Sequence, residues 1–564
     1  MQKRIRFVLA LAMIFAMVFA FASIQAPAQA QGSVLTVGFA QEPDNMNGFY
    51  SSMAFAQWAI DLVQASLWHY TDTLEAVPVL VAEIPTVENG GINADYTEYT
   101  IKLKPDLKWS DGEALNADDL VFTYEMIMKG KENNFLQAGV ITEALESVSK
   151  VDDTTFKLVF KSPQTFPEDV AGSTGLSTIL PEHVFRPVFE ANGSLEQAEE
   201  NQNPTVFSGP YTMTEWLRGE SMTFAANPNY VLGAPKIATI VIRFFPDTQT
   251  QYAALGAGQI DMVPNVSEGD LANVKSLNPD IAITNVFGGY IESLWLNVRD
   301  ENAPRAGHPA LKDKNVRAAI RLALDRRAIV RDLLADAVPV SDSIYALSPF
   351  EDKELGFVES NKEEAAKLLD EAGWVVGADG IREKDGVKME LRYSTTTAGW
   401  RNEIQAVVQQ QLAEVGIAVV LEKYPASEFF GAWASNGINA VGEYDIAEYA
   451  NNTALTNISN VTVNEAFACD QITSEANPGG QNFTGFCSEE LDAAAKITRE
   501  SLDPAERQAA AKRIQEIVRD EMPVIVLFPR GDNYAYNTTR FTSALKFGSG
   551  VGNMWFDLMN WELK

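Results

Sequence analysis

Residues 208–263 constrain the fold more than any other part of the chain, because their turn residues separate several elements in close succession. Tyr211 and Met213 alternate with threonines, an Arg-Gly-Glu turn follows, and Met222 and Phe224 alternate on the return. Alternation of apolar and polar residues on both sides of a glycine turn predicts a β-hairpin. The segment therefore begins with two antiparallel strands.

A third strand and a helix follow this hairpin. Ile240, Ile242 and Phe244 share one face of an extended segment, and Asp247 is placed to cap the helix behind it. That helix is predicted to end near Gly256, since glycine favours the backbone conformation found at helix ends. Strands and helices in this order predict an α/β fold.

Helical periodicity recurs through the rest of the chain, without internal repeats or low-complexity linkers. Asn116 is predicted to cap a helix in which Asp119 occupies the reciprocal capping position. The opening strand is predicted at 34–39. Further amphipathic patterns predict helices at 316–334, 361–372, 401–415 and 504–519.

The amino terminus has the pattern of a secretory signal peptide. Three basic residues precede an apolar run at 7–22, and small residues follow it up to Ala30. We expect 1–30 to be removed, with cleavage after Ala30 or, as the second choice, after Ala26. A retained membrane anchor is the alternative, but the run is shorter than the roughly 20 residues of a spanning helix. No cysteine is near the cleavage site, so we expect an extracytoplasmic or periplasmic protein that is not a lipoprotein.

Length and charge limit the remaining choices. The chain has 564 residues and a net charge of −32. So long a chain is expected to form two or three lobes rather than one core. The acidic balance argues against a nucleic-acid partner, since binding to phosphates requires a concentrated basic surface. We interpret the acidity as a solvated surface and expect a monomer.

The two cysteines, Cys469 and Cys487, enclose a loop that contains Pro-Gly-Gly. In an exported chain this spacing predicts a disulfide, which stabilises by roughly 3 kcal/mol in the chain-entropy account. Two free thiols are the alternative. The spacing is too wide for a C-x-x-C redox motif.

The amino-acid sequences of several segments resemble those of one protein family. The Gly-Pro-Tyr strand and the Asn-Pro turn within 208–263 resemble the solute-binding proteins of ABC importers, family 5, which are receptors for dipeptides, oligopeptides and nickel. Five further segments follow the same family pattern in the same order: WSDGEALNADDLVFTYE at 109–125, LKDKNVRAAIRLALDRRAIV at 311–330, NKEEAAKLLDEAGW at 361–374, RNEIQAVVQQQLAEVGIAVVLEKY at 401–424 and NFTGFCSEELDAAAK at 482–496.

The resemblance implies a two-lobed periplasmic-binding-protein type II fold with an additional inserted domain. The three domains are discontinuous: lobe I combines 32–60, 205–290 and 526–564, the inserted domain II is 61–204, and lobe III is 291–525. Two crossings between the lobes are expected to form a hinge. Ligand binding in the cleft then closes the lobes.

The resemblance also suggests residues that hold a ligand. Peptide receptors of this family pair the free amine of the ligand with a carboxylate after a Tyr-Asp-Ile-Ala strand, which places Glu448 and its neighbour Asp445 as candidates. Arg401 begins a helix near the position where the dipeptide receptors keep an arginine for the ligand carboxylate, and a guanidinium matches a carboxylate with two hydrogen bonds. The alternatives are a solvated acid at a strand end and a surface arginine at a helix start.

Four aromatic residues complete the set of candidates. Trp400, Trp433, Tyr449 and Tyr50 are predicted either to line the ligand site, where they stack on side chains or sugar rings, or to belong to the core.

The predicted function is that of a receptor which delivers a solute, with peptides favoured, to the membrane permease of an ABC importer. An oligosaccharide receptor is the alternative, and a nickel receptor or a secreted hydrolase is less favoured. The three histidines are scattered, and the chain has no G-x-S-x-G or H-E-x-x-H motif. We therefore expect no catalytic residues, no metal site and no cofactor.

Overall fold

The computed structural model describes residues 33–51, 53–135, 144–165, 178–299, 305–431, 433, 436–453, 466–478, 480–548 and 553–564. The predicted signal peptide, 1–30, lies outside these residues. In the described part of the chain, no helix combines the length and the hydropathy required to span a bilayer.

The strands and helices alternate along most of the chain. The strands are β1 (Val34–Phe39), β2 (Trp68–Tyr70), β3 (Ala76–Pro78), β4 (Glu98–Lys102), β5 (Leu145–Asp152), β6 (Thr155–Phe160), β7 (Tyr211–Leu217), β8 (Ser221–Ala226), β9 (Thr239–Phe244), β10 (Met262–Val263), β11 (Ile281–Leu296), β12 (Val375–Val376), β13 (Arg382–Lys384), β14 (Val387–Lys388), β15 (Glu390–Thr396), β16 (Ala418–Tyr424), β17 (Ile446–Asn452) and β18 (Val524–Asn537). The helices are α1 (Ala54–Val63), α2 (Ala117–Met128), α3 (Glu182–Asn192), α4 (Thr248–Gly256), α5 (Leu271–Leu277), α6 (Lys314–Ala323), α7 (Arg326–Leu333), α8 (Lys362–Glu371), α9 (Gly399–Ala413), α10 (Ala426–Phe429), α11 (Ile438–Val441), α12 (Glu489–Glu500) and α13 (Pro504–Glu521).

Ten strands form one sheet, in the order β16-β15-β17-β11-β18-β10-β1-β9-β8-β7. The predicted hairpin is confirmed as β7 and β8, and the third strand is confirmed as β9, which pairs with β8. β1 is parallel to β9, and β10 joins β1 to β18. The sheet thus connects elements from the two ends and the middle of the chain.

The long strands β11 and β18 run antiparallel through the middle of this sheet. Their pairing extends from Ile281 opposite Asn537 to Trp295 opposite Val524, with irregularities after Phe287 and after Glu292. Irregular pairing bends a strand and increases its twist. We call 287–292 of β11 and 528–532 of β18 the crossing region, because on either side of it the sheet continues into different sets of strands. The backbones approach closely there, since a Cβ on Gly531 would lie 2.3 Å from the backbone oxygen of Val286.

The apolar residues collect into separate cores around this sheet. One core lies within 49–206 and is built on the small sheet of β4, β5 and β6. Two cores pack β1, β7–β10 and the carboxyl-terminal segment. Two more pack β15–β17 with helices α6–α9, α12 and α13. The exact domain boundaries given above stay a prediction.

Local sequence signals were accurate at the helix ends. Asn116 and Asp119 form the predicted reciprocal capping box of α2, and Asp247 caps α4 by accepting a 2.7 Å hydrogen bond from the backbone of Thr250. The single helix predicted at 316–334 is wrong. Leu324 is extended, and the side chain of Asp325 caps a second helix, so α6 and α7 are separate.

The predicted disulfide is confirmed. Cys469 and Cys487 are joined by a bond of 2.05 Å between their sulfur atoms. The bridge links Cys469 to the residue just before α12. The backbone N–H of Cys469 also donates to Asp492 in that helix, so both contacts hold the loop against the start of α12.

Candidate functional site

The candidate site is the crossing region, where β11, β18 and the start of α9 bring together buried charges from distant parts of the chain. α9 begins at Gly399, two residues before the predicted start, so Arg401 lies in its first turn. Glu292 lies on β11 and is completely buried. Burial of a charge is costly unless a partner and hydrogen bonds compensate it.

Arg401 compensates Glu292 with two parallel hydrogen bonds. Its Nε lies 2.8 Å from Oε1 of Glu292 and its Nη2 lies 3.0 Å from Oε2, while Nη1 donates to the hydroxyl of Thr396. This two-pronged geometry is the strongest form of an arginine–carboxylate contact. Arg401 thus binds a carboxylate, as its residue type predicted, but the carboxylate belongs to the protein. Its predicted contact with a ligand stays a prediction.

A second arginine extends the network toward β10 and α5. Arg530 on β18 donates from Nε to Glu268 at 2.8 Å, and its Nη1 lies 3.6 Å from Glu292. The indole of Trp400 lies beside both guanidinium groups, with ring centroid distances of 4.8 Å to Arg401 and 5.1 Å to Arg530. Such cation–π contacts hold the tryptophan face against the charged network.

The start of α9 also touches the turn that carries Glu268. A Cβ on Gly269 would lie 2.8 Å from Cβ of Trp400, so only glycine allows this approach without displacement. The turn, a short 3-10 helix at Glu268–Asp270, precedes α5. Gly269 and Trp400 therefore bring the turn before α5 into direct contact with the start of α9, beside the crossing region.

Glu448 lies on β17 and faces the same network. Its carboxyl accepts a 2.5 Å hydrogen bond from the hydroxyl of Tyr393, and its other oxygen, Oε1, is buried without a hydrogen-bond partner among the described residues. Burial, with the charge of Glu292 as the second cause, raises the pKa of Glu448 well above its usual range, against the opposing effects of Tyr393 and Arg401. The role of Glu448 toward a ligand stays a prediction.

Asp445 occupies a different environment at the start of β17. Its two oxygens accept hydrogen bonds from the backbone N–H groups of His308 at 2.8 Å and Arg392 at 2.7 Å. These contacts tie the strand to two neighbouring segments. Contact between Asp445 and a ligand stays a prediction.

Asp532 is a candidate that sequence reasoning missed. It lies on β18 opposite Val286, and among the described residues its carboxylate has no hydrogen-bond donor. The side chain is partly exposed, yet burial and the charge of Glu268 raise its pKa to about 6, against the opposing charge of Arg530.

A sequence signal for this part of the network was present. Residues 524–528 are uniformly apolar, as a buried strand requires, and Arg530 and Asp532 interrupt that pattern while the strand continues to Asn537. Charged residues in the middle of a central strand are expensive unless they have a specific role. The interruption is visible without a structure, although the partners Glu268 and Glu292 are not.

The predicted aromatic residues are distributed over the molecule. Tyr449 stacks on Trp295 at 4.8 Å and is buried. Trp433 lines a cavity of about 510 Å³ together with Arg299, Arg305 and Thr473, beyond the carboxyl-terminal end of β11. Tyr50 donates from its hydroxyl to the backbone oxygen of Asn133. Two of the four lie beside the crossing region: Trp400 contacts the guanidinium groups, and Tyr449 pairs with Ser293, which follows Glu292 on β11.

Metal ligands do not converge in the part of the chain that the structure describes: no group of three or more histidine, cysteine, aspartate or glutamate side chains there has the geometry to hold an ion. The crossing region contains charged groups and hydrogen-bonding groups. Its guanidinium groups are paired with carboxylates of the protein itself.

A family model supports the resemblance. The model described as Bacterial extracellular solute-binding proteins, family 5 Middle matches residues 75–464. The match includes α2 and the segments up to β17, and it therefore covers most of the chain.

Among curated proteins, the Oligopeptide-binding protein AppA of Bacillus subtilis is 32% identical over 396 residues, which are 69% of this chain and 68% of that protein. Protein XP55 of Streptomyces lividans is 26% identical over 497 residues, or 86% of this chain and 81% of that protein.

Solved structures of oligopeptide-binding proteins also resemble this chain. AppA of Bacillus subtilis in complex with a nonapeptide has a TM-score of 0.63 at 25% identity, covering 95% of this chain and 99% of that chain. The oligopeptide binding protein of Thermus thermophilus complexed with a pentapeptide has a TM-score of 0.61 at 25% identity, covering 93% and 95%. NikZ of Campylobacter jejuni in complex with Ni(L-His), at 24% identity, 94% and 99% coverage and a TM-score of 0.66, shares the fold. The predicted fold class is confirmed.

Proposed function

Because this chain belongs to the bacterial extracellular solute-binding proteins of family 5, we propose that it captures peptides outside the cytoplasm and delivers them to the membrane permease of an ABC importer. The relative with 32% identity is named as an oligopeptide-binding protein, and the solved structure of a protein of that name holds a nonapeptide. These relatives favour peptides over the oligosaccharide alternative.

The observation that carries the mechanism is the pairing of β11 with β18 along their length. These two strands connect the two groups of strands at the crossing region. The register of their pairing shifts after Phe287, so the hydrogen-bond ladder is interrupted there. Cleft closure about this crossing fits a receptor that stores binding energy in a conformational change and performs no chemistry.

Recognition of the peptide backbone does not require a particular side chain. An extended peptide presents N–H and C=O groups that protein backbone can meet by strand addition, so the charged ends and the side chains set register and preference. Glu448 and Arg401 remain proposed partners for the two ends. For Arg401 this requires the ligand carboxylate to join or replace Glu292, which now occupies both prongs of the guanidinium.

Isothermal titration calorimetry tests the proposed function. A panel of peptides with two to nine residues and a panel of cello- and xylo-oligosaccharides are titrated into the purified protein without its leader. We expect saturable binding of peptides, with dissociation constants on the order of micromolar, which is about 8 kcal/mol of binding free energy. Binding of the sugars together with no binding of any peptide would contradict the proposal.

A further inference from the structure

The cavity of about 510 Å³ beyond the carboxyl-terminal end of β11 is separate from the crossing region, since none of the described residues of that region lines it. Its volume is within the range of small-molecule sites, roughly 300–1,000 Å³. Residues 472–475 and Gly485 in its wall belong to the loop that the Cys469–Cys487 disulfide closes. A wall held by a covalent link is ordered before any ligand arrives, which lowers the entropic cost of binding.

Arg299 lines this cavity and is only 4% exposed. Its Nη1 donates to the backbone oxygen of Val441 at 3.1 Å. Its Nη2 donates to the backbone oxygen of Ala440 at 3.2 Å and to the hydroxyl of Thr473 at 2.7 Å. Its Nε is buried and has no hydrogen-bond partner in the part of the chain that the structure describes. The donors that are satisfied therefore all meet neutral oxygens.

The charge of Arg299 is not compensated by a carboxylate of any described residue. Burial lowers the pKa of Arg299, Tyr444 opposes this effect, and the charge of Arg305 adds to it, without a contribution from an acid. Arginine remains charged in proteins, and burial of an unpaired charge is costly. Arg401 and Arg530 differ from Arg299 in this respect, because each of them is paired with a glutamate.

The backbone around Arg299 fixes its side chain at the cavity wall. Gly442 and Gly485 have φ angles of 76° and 74°, a conformation that favours glycine. A Cβ on Gly442 would lie 2.6 Å from Nη1 of Arg299, and a Cβ on Gly485 would lie 2.3 Å from its Cγ. Because the chain packs so closely on both sides of this arginine, a counter-charge has to come from a bound molecule.

The other charged residues of the wall limit the charge of that molecule. Arg305 is already paired, since its Nε lies 3.1 Å from Oε2 of Glu443. Glu475 also lines the cavity and is exposed, so a second negative charge on the ligand would be repelled there. One uncompensated positive charge, on Arg299, remains. The cavity therefore matches an anion with a single charge.

Apolar side chains supply the rest of the chemistry. Trp433, Val441 and Ile472 line the same cavity as Arg299. Pockets for small molecules typically combine apolar walls with a few polar groups that fix the orientation of the ligand. The apolar walls suit a hydrocarbon or aromatic body, and the guanidinium suits the planar geometry of a carboxylate.

We propose that this cavity binds a small molecule that carries one carboxylate on an apolar body, and that Arg299 is the direct partner of the carboxylate. The site is additional to the peptide site, and the inference does not rest on the proposed function.

Ligand-observed NMR titration with matched pairs tests the proposal. The probes are phenylacetate, 3-phenylpropionate and 4-methylpentanoate, each with its neutral primary amide, at neutral pH. We expect wild type to bind the carboxylate of at least one pair about tenfold or more tightly than the amide, as charge-assisted hydrogen bonds do. The preferred carboxylate is also expected to raise the melting temperature, because it binds the folded state.

The variant Arg299→Met removes the charge and is expected to reduce the preference for the carboxylate to less than about twofold. Its matched control is Arg331→Met, which removes an exposed arginine that is paired with Asp332 and does not line the cavity. The control is expected to keep the wild-type preference.

A second variant leaves Arg299 unchanged and fills the cavity instead. Ile472→Trp is expected to weaken binding of the carboxylate by about tenfold or more, since the larger side chain occupies the space of the apolar body. Ile497→Trp, on the exposed face of α12, is the matched control and is expected to bind as wild type does. If Arg299→Met does not fold, Ile472→Trp decides the outcome.

Three results would overturn the inference. They are the absence of binding of all three carboxylates up to about 10 mM, equal affinity for the carboxylate and the amide in every pair, and wild-type affinity in Ile472→Trp. The peptide function is tested separately by calorimetry with peptides, so either proposal can fail while the other stands.

Discussion

The two halves of the charged network at the crossing region use the same residue types in different surroundings. In the buried half, Glu292 and Glu448 are fully enclosed, and Arg401 satisfies the former with two hydrogen bonds. In the other half, Arg530 and Asp532 are partly exposed. In the buried half the charge of Glu292 is paired and the pKa of Glu448 is raised by burial, whereas in the partly exposed half Asp532 accepts no hydrogen bond from the described residues. The same residue types therefore have different partners and different access to solvent in the two halves.

The largest expected effect comes from breaking the buried half. Arg401→Met leaves Glu292 buried with only the longer contact to Arg530, and removal of one partner of a buried ion pair costs about 3 to 5 kcal/mol of the free energy of unfolding. Urea denaturation at neutral pH measures this loss.

The control for Arg401→Met is Arg327→Met, which breaks an exposed ion pair with Glu359 and is expected to cost less than about 1 kcal/mol. The double variant Arg401→Met with Glu292→Met is expected to recover much of the lost stability, since no charge is then left unpaired. An equal loss of unfolding free energy for Arg401→Met and Arg327→Met would show that the buried pair is worth no more than an exposed one.

Glu448 sharpens the contrast through its pH dependence. Its folded pKa is raised, so the folded state holds a proton that the unfolded state releases, and stability from this group is lost as pH rises from its usual range toward the folded pKa. Glu448→Gln is expected to be nearly neutral at about pH 4 and increasingly more stable than wild type toward pH 8. Urea denaturation across that interval measures it, and parallel curves for the two proteins would show that Glu448 is ionised in the fold.

Asp532 is expected to show the same sign with a smaller amplitude. Its pKa is raised from 3.8 to about 6, so ionisation destabilises the ligand-free fold between these values and the effect is complete above them. Asp532→Asn therefore raises the melting temperature above about pH 6 and leaves it unchanged below about pH 4. The gain is modest because the side chain is partly exposed to water. A melting temperature that falls at neutral pH would mean that Asp532 has a stabilising partner.

The sequence predicted local elements well because their signals are local. The helix caps at Asn116 and Asp247 and the turn before β8 each depend on only a few neighbouring residues. The disulfide was predicted from the presence of two cysteines, Cys469 and Cys487, in an exported chain. The break at Asp325 was missed because the apolar spacing continues across it, while the aspartate caps a new helix.

The site was harder to predict because its contacts join distant parts of the chain. Arg401 and Glu292 are 109 residues apart, and Arg530 and Glu268 are 262 residues apart. Arg401 was predicted to face the carboxylate of a ligand, and nothing in the sequence indicated that Glu292 pairs with its guanidinium. Asp532 has no local motif, and its significance follows only from the sum of charges around it.

A crystal structure of the wild-type protein with a bound lysine-containing peptide tests the central claim most directly. We predict that the peptide lies at the crossing region, with its charged ends within about 3 Å of polar side chains there. A peptide that lies away from the crossing region, for example in the cavity beside Trp433, would contradict the account.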